Sequence, residues 1–155
     1  MKNRLLALLL LMATLLSVTS CGIIFGDVAE QGDITVVVEN TNGSFEVYKT
    51  YLENVENKSE GAKGVIEHLN ERERDPLTFE MVDGAYGAYL TAIGNIREGD
   101  GYYVIVYTSV KADSYEGAPT VQYEGVTLYQ AGLGLSGMRA EARGIILFRL
   151  ERSPY

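Results

Sequence analysis

The sequence contains few of the residues from which metal sites and disulfides are built. Among its 155 residues there are one cysteine, one histidine and three prolines, and tryptophan is absent. A single cysteine cannot form an internal disulfide. His68, without a second imidazole or a free thiol, argues against a zinc site. No set of serine, histidine and aspartate around His68 would support catalysis. We therefore predict no metal ligand, no catalytic residue and no enzymatic activity.

Positive charge is also scarce. Lysine and arginine together number 13 against 21 aspartates and glutamates, which gives a formal net charge of −8. Binding to phosphate backbones requires clustered lysine and arginine, so we predict no nucleic-acid partner. What the sequence has in abundance is tyrosine, with 11 residues, and glycine, with 17. This composition is typical of a β-rich protein with many turns.

The N-terminus has the layout of an export signal. Lys2 and Arg4 precede the apolar run LLALLLLMATLL at 5–16, and small residues follow. The stretch Val18-Thr19-Ser20-Cys21 resembles a bacterial lipobox. That resemblance implies that residues 1–20 are a signal peptide and that Cys21 receives a diacylglyceryl group after cleavage. Two or more acyl chains would make the anchoring stable.

Two other readings of the leader stay open. It could remain as a transmembrane anchor, because no charge lies between Leu5 and Gly26 and this stretch is long enough to span a membrane. Alternatively, the protein could be secreted and soluble. The basic start, the apolar length and the cleavage site together favour the lipid anchor. We therefore expect a lipidated tether over 21–32 and a domain over 33–152. The domain would lie on the extracytoplasmic face of the cell membrane, with membrane lipid as the partner of Cys21.

The domain itself has the pattern of an α+β fold. The alternation in DITVVVE predicts a strand over 33–39, and Asn42-Gly43 predicts a hairpin turn into a strand over 44–52. A helix is predicted from a cap at Ser59 to about 72–74 because four apolar residues have helical spacing: Ala62, Val65, Ile66 and Leu69. Further strands are expected over 77–82, 88–93, 102–109, 121–129 and 144–151. The order predicts a mixed or antiparallel sheet of about five to seven strands with one packed helix.

A family resemblance rests on DGAYGAYLTAIGNI at 83–96 and DGYYVIVYTS at 100–109, after the hairpin and helix. The series resembles a domain family of bacterial lipoproteins related to the C-terminal β-domain of transcobalamin and intrinsic factor. The resemblance implies a β-grasp-like fold and binding rather than catalysis. It also implies cobalamin or a related corrinoid as a possible ligand.

The candidate ligand-binding residues are a cluster of tyrosines with one glycine: Tyr86, Gly87, Tyr89, Tyr102, Tyr103 and Tyr107. Strand alternation places Tyr103, Ile105 and Tyr107 on one face, and Val104 and Val106 on the face expected to pack on the helix. Tyrosine offers contact area and a polar tip, although tyrosines also simply suit exposed strands. The alternative function is therefore a structural or interaction domain of a cell-envelope assembly, without a small ligand.

The segment GLGLSG at 132–137 matches the pattern G-x-G-x-x-G. A dinucleotide site also requires a βαβ unit with a helix directly after the glycines. The surrounding sequence lacks this context, so we predict a flexible turn between strands.

Overall fold

The structure is a computed structural model that describes residues 32–152. The predicted signal peptide at 1–20 and the predicted lipidation at Cys21 lie outside the described residues. The predicted tether over 21–32 does so as well, apart from Gly32.

Nine strands and one α-helix make up the described part of the chain. In chain order they are β1 (Asp33–Glu39), β2 (Phe45–Tyr51), α1 (Gly61–Asn70), β3 (Phe79–Gly84), β4 (Gly87–Ile93), β5 (Ile96–Arg97), β6 (Tyr102–Thr108), β7 (Thr120–Tyr123), β8 (Val126–Gln130) and β9 (Ile145–Arg152). Six strands form one sheet in the order β2-β1-β9-β6-β8-β7, and the other three form a sheet in the order β3-β4-β5. The β1–β9 pair is parallel and the other pairs are antiparallel. The predicted α+β fold, with a mixed sheet and one packed helix, is confirmed.

The hairpin β1–β2 follows the predicted turn. Gly43 has a φ of +81°, a backbone conformation that suits glycine, and the Ser44 amide donates to Asn42 Oδ1 at 2.9 Å. In the sheet β1 lies between β2 and β9. Apolar residues on both of its faces are therefore buried, which explains the uninterrupted run of valines in DITVVVE.

The main core lies between one face of the six-stranded sheet and a layer formed by α1 and the three-stranded sheet. The four predicted apolar positions of the helix are all buried in it. They pack with side chains from β1, β4, β5 and β9: Ile34, Val36, Val38, Leu90, Ile93, Ile96, Ile146 and Phe148. Val104 and Val106 of β6 pack against the same core, as the alternation predicted. Removal of this apolar surface from water is the main force that holds the layers together.

The helix begins and ends differently from the prediction. Ser59 lies in a 3-10 turn, Lys58–Glu60, and no side-chain cap precedes Gly61. Instead, two amides of the first turn donate to carbonyls of a distant loop: Ala62 to Met138 at 3.1 Å and Lys63 to Leu135 at 3.3 Å. The helix ends at Asn70, before the predicted 72–74. The Asn70 side chain donates to the Leu77 carbonyl at 3.0 Å as the chain turns away.

A second, smaller core lies on the opposite face of the six-stranded sheet. Residues 121–129 form two strands and not one, because Glu124 and Gly125 turn the chain with φ values of +48° and +81°. The hairpin β7–β8 pairs with β6 at two residues only and then folds across the sheet. It buries a cluster of side chains: Val37, Tyr107, Tyr123, Leu128 and Leu147. At its far end, Tyr123 meets Phe45 edge to face, with ring centroids 5.3 Å apart.

Candidate functional site

The predicted ligand-binding tyrosines do not form one surface. Tyr86 is 89% exposed at the turn between β3 and β4, and Tyr89 projects outward from β4. Tyr102 and Tyr103 are consecutive in β6, so their side chains lie on opposite faces of the sheet. The structure therefore separates residues that are close in the sequence.

Tyr107 is a core residue, and its prediction as a ligand contact is wrong. Its side chain is only 2% exposed and packs in the second core. Its hydroxyl donates to Glu151 Oε1 at 2.7 Å. Burial, together with this hydrogen bond, raises the pKa of Tyr107 well above its ordinary value. The ring fills the space under the β7–β8 hairpin and presents no face to a ligand.

Gly87 and the glycine segment at 132–137 support each other structurally. Gly87 has a φ of +103°, which favours glycine at the hairpin turn. The Gly134 amide donates to the Tyr86 carbonyl at 3.0 Å, and a Cβ on Gly134 would lie 2.5 Å from that oxygen. The segment is thus a connection between strands, as predicted, but it packs closely against the β3–β4 turn.

The same loop blocks the N-terminus of α1 as a phosphate site. A helix N-terminus binds anions through amides that lack partners. Here the amides of Ala62 and Lys63 already donate to the loop carbonyls of Met138 and Leu135. The pattern G-x-G-x-x-G therefore serves packing at this position.

A cleft of about 460 Å³ opens where β1 stops and β9 continues. Glu39, the last residue of β1, lies opposite Arg149. Beyond that point, β9 runs on to Arg152 beside β6 and has no neighbour on its β1 side within residues 32–152. The missing neighbour leaves the cleft, which we call the β1-end cleft.

The β1-end cleft has two polar walls and a partly apolar floor. The turn from β1 to β2, with Asn40 and Thr41, forms one wall, and the β5–β6 connection forms the other. The full lining is Glu39, Asn40, Thr41, Gly43, Arg97, Gly99, Asp100, Tyr102, Arg149 and Leu150. Tyr102 is the one predicted ligand-binding residue in this lining.

Arg149 is one of the charged residues that line the cleft. Its guanidinium lies 3.4 Å from Glu39 Oε2 and 3.3 Å from Glu151 Oε1. The buried Nε nevertheless has no hydrogen-bond partner among residues 32–152. A second buried atom, Asn40 Oδ1, also lacks a partner there. Such groups carry a desolvation cost until a donor or acceptor reaches them.

Arg97 supplies the second guanidinium. It forms a two-pronged pair with Glu80, with Nη2 2.6 Å from Oε1, and this lowers the pKa of the Glu80 carboxyl. Both side chains are largely exposed. Exposed ion pairs contribute little net free energy, so Arg97 can exchange Glu80 for a ligand carboxylate or phosphate at small cost.

The side chains that line this cleft are of types that bind ligands. Guanidinium groups bind carboxylates and phosphates in a two-pronged geometry, and Tyr102 and Leu150 offer contact area. The volume is within the range of small-ligand pockets, roughly 300 to 1,000 Å³. Sequence reasoning missed Arg149, although a charged residue inside the apolar strand IILFRLE was a usable signal. Asn40 and Arg97 join the cleft only through the tertiary fold.

His68 belongs to the packing of α1 on β2. Its Nε2 lies 3.1 Å from Thr50 Oγ1. Within residues 32–152, no three histidine, cysteine, aspartate or glutamate side chains are grouped closely enough to hold a metal ion. The same part of the chain contains no helix that could span a membrane.

Comparisons with known proteins concern the fold. No protein-family model matches the chain, and no curated protein matches it. The chain is similar to a crystal structure from Ruminococcus gnavus ATCC 29149 that is described as a "putative metal binding protein". The TM-score is 0.51 and the identity 13%, over 79% of this chain and 99% of that chain. At this identity the similarity shows the fold alone, and it does not bear on the transcobalamin resemblance.

Proposed function

We propose that the protein is a lipid-anchored, extracytoplasmic binding module that takes a small ligand in the β1-end cleft and performs no chemistry on it. The observation that carries the proposal is the cleft itself. It is lined by Arg97 and Arg149, by the exposed ring of Tyr102, and by Asn40, whose buried Oδ1 has no hydrogen-bond partner within residues 32–152. The export-signal pattern and Cys21 support the location at the membrane surface.

The ligand that suits this lining has an acidic group, a hydrogen-bond donor and some apolar surface. The acidic group would meet Arg97 or Arg149, and the donor would reach Asn40 Oδ1. Cobalamin or a related corrinoid is one candidate, because its amides and phosphodiester offer these groups. A whole corrinoid is larger than the cleft, so the domain would hold one side of it.

Titration of the full-length chain with cobalamin, followed by visible absorbance, tests the candidate. We expect a saturable spectral change that Tyr102→Ala weakens by about tenfold, because an aromatic contact of the cleft is lost. Tyr86→Ala is the matched control, since Tyr86 is exposed outside the cleft and should leave the affinity unchanged.

The same titration has two outcomes that contradict the proposal. If the absorbance does not change up to the solubility limit of cobalamin, a corrinoid is not the ligand. If Tyr86→Ala abolishes the change and Tyr102→Ala does not, the site lies at the β3–β4 turn and not in the β1-end cleft.

A second candidate function, an interaction domain without a small ligand, is favoured by a different observation. The outward face of β2 exposes three large apolar side chains: Phe45, Val47 and Tyr51. Exposed apolar rows of this kind mark contact surfaces of proteins. An interaction domain predicts that Tyr102→Ala has no binding phenotype, whereas substitutions on β2 release a partner.

A further inference from the structure

β2 is an edge strand whose outer side has no strand partner within residues 32–152. The backbone bonds Asn40 N to Ser44 O and Leu52 N to Gly32 O define which residues of β2 face β1. By the alternation of an antiparallel pair, the amides and carbonyls of residues 45, 47, 49 and 51 point away from the sheet. Arg72 donates to the Lys49 carbonyl, which agrees with this assignment.

The outward-pointing residues also carry the exposed side chains of the strand. Phe45 is 48% exposed, Val47 45% and Tyr51 58%. Free backbone groups beside an apolar row form a template for another strand. Within residues 32–152, β2 carries no proline and no bulge that would protect this edge.

The two ends of the edge carry opposite charge. Glu46 lies near the start of β2, where it accepts hydrogen bonds from Asn40 and Tyr48. Arg72 lies toward the other end, where it donates to the Lys49 carbonyl, and it forms no ion pair with a residue of the described chain. An antiparallel arrangement of two such edges brings the acidic end of each beside the basic end of the other.

We propose that β2 pairs with β2 of a second copy of the chain, antiparallel, across a two-fold axis at Tyr48. This register places Phe45 opposite Tyr51, Val47 opposite Lys49 and Glu46 opposite Thr50, each pair occurring twice. The outward backbone groups then bond across the axis, and the aromatic pairs add side-chain contact. The contact is isologous and closed, so it produces a dimer and not a fibre.

Arg72 has a defined place in this arrangement. Its donation to the Lys49 carbonyl occupies one acceptor of the free edge. In the dimer the Lys49 carbonyl accepts the Val47 amide of the second copy, and Arg72 faces the acidic end of that copy. The inference goes beyond the proposed ligand binding and does not depend on it, because β2 presents this edge whether or not the cleft is occupied.

Two substitutions at Val47 test the register with opposite expectations. Val47→Arg puts a cation opposite Lys49 of the second copy twice, and Val47→Glu puts an anion there. We expect the dimer of the Arg variant to dissociate about 30-fold more readily than that of the Glu variant, because two cross-strand pairs change from attraction to repulsion. Sedimentation equilibrium of the full-length chain in density-matched detergent measures both dissociation constants.

Val82→Arg is the matched control. Val82 is 40% exposed on β3, close to the exposure of Val47, but it lies in the other sheet. It should leave the dimerisation constant unchanged, and all three variants should keep the melting temperature of the wild-type chain. A wild-type chain that stays monomeric at its highest soluble concentration overturns the proposal. Equal weakening by Val47→Arg and Val47→Glu, or weakening by Val82→Arg, also overturns it.

Discussion

At the scale of single residues, Tyr107 shows how a polar tip is accommodated in an apolar layer. Its ring packs beside Leu128 and Leu147, while its hydroxyl donates to Glu151 at 2.7 Å. We expect Tyr107→Phe to lower the free energy of unfolding by about 1 kcal/mol, because the ring is retained and one hydrogen bond is lost. Urea unfolding measures the change.

The control for this substitution is the neighbouring tyrosine on the same face. Tyr103 is about half exposed, and its hydroxyl forms no hydrogen bond within residues 32–152. Tyr103→Phe should therefore change the free energy of unfolding by less than about 0.5 kcal/mol. Equal effects at Tyr103 and Tyr107 would contradict the role given to the Glu151 hydrogen bond.

The pKa of a second tyrosine, Tyr48, leads to a prediction of how stability responds to alkaline pH. Burial and a hydrogen bond to Glu46 raise the pKa of Tyr48 to about 12. The folded state thus favours the neutral phenol, so its contribution is complete below the unfolded pKa of about 10 and is lost as the pH rises through 12. We expect the midpoint of urea unfolding to fall between these pH values.

Tyr48→Phe should make that fall less steep, because phenylalanine has no hydroxyl that can ionise. Tyr86→Phe, at an exposed position, is the control and should leave the slope unchanged. If both variants keep the wild-type slope, Tyr48 is not a source of the alkaline sensitivity. Curves of unfolding midpoint against pH for the three proteins provide the comparison.

The burial of individual residues was only partly predictable. Alternation correctly assigned Val104 and Val106 to the helix-facing core. It could not show that Tyr107 is buried, because the residues that bury it belong to the β7–β8 hairpin. The sequence predicted a single strand over 121–129 and not this hairpin. Period-two patterns separate the faces of a strand but do not say what lies above each face.

At the scale of elements, the start of α1 depends on a loop about 75 residues further along the chain. The carbonyls of Leu135 and Met138 accept the first amides of the helix, and Met138 lies 76 residues beyond its partner Ala62. Ser59 has the right residue type for a local N-cap, but the first amides of the helix bond to the distant loop instead. Partners of this kind cannot be predicted from a window of sequence.

The same loop gives a test with a built-in control. A Cβ on Gly134 would lie 2.5 Å from the Tyr86 carbonyl oxygen, whereas the nearest atom to a Cβ on Gly137 is 3.5 Å away. Gly134→Ala should lower the free energy of unfolding by about 1–3 kcal/mol through overpacking. Gly137→Ala should be neutral or slightly stabilising, by about 0.5 kcal/mol, because the unfolded chain loses entropy.

Thermal or urea unfolding of these two alanine variants decides the role of the segment. If Gly137→Ala is as costly as Gly134→Ala, the glycines act through general flexibility and not through close packing on the β3–β4 turn. The limits of β1, in contrast, were predicted correctly, because it covers Asp33–Glu39 as its alternation indicated.

At the scale of the whole molecule, the candidate site is assembled from three separate stretches of chain. Asn40, Arg97, Tyr102 and Arg149 meet because β1 ends beside a longer β9. Relative strand lengths in a mixed sheet depend on pairing across more than a hundred residues. The sequence therefore supported the fold class far better than the position of the cleft.

The proposed membrane anchor also concerns the whole chain, and Cys21 is its direct test. We expect Cys21→Ala to leave an unprocessed precursor that takes up no labelled palmitate, because the thioether to lipid cannot form. Metabolic labelling followed by electrophoresis measures incorporation and size together. Unchanged labelling and processing would contradict the lipid anchor, whereas the fold over 32–152 would stand.

The position of β1 in the six-stranded sheet has a mechanical consequence. The chain enters the domain at Asp33, and β1 bonds at once to β2 on one side and to β9 on the other. A force transmitted through the preceding segment acts along β1, at right angles to the hydrogen bonds of the β1–β2 pair. It therefore loads these bonds and those to β9 together in shear and does not peel one strand from an edge. When force is applied to the domain from this end, we therefore expect it to unfold slowly.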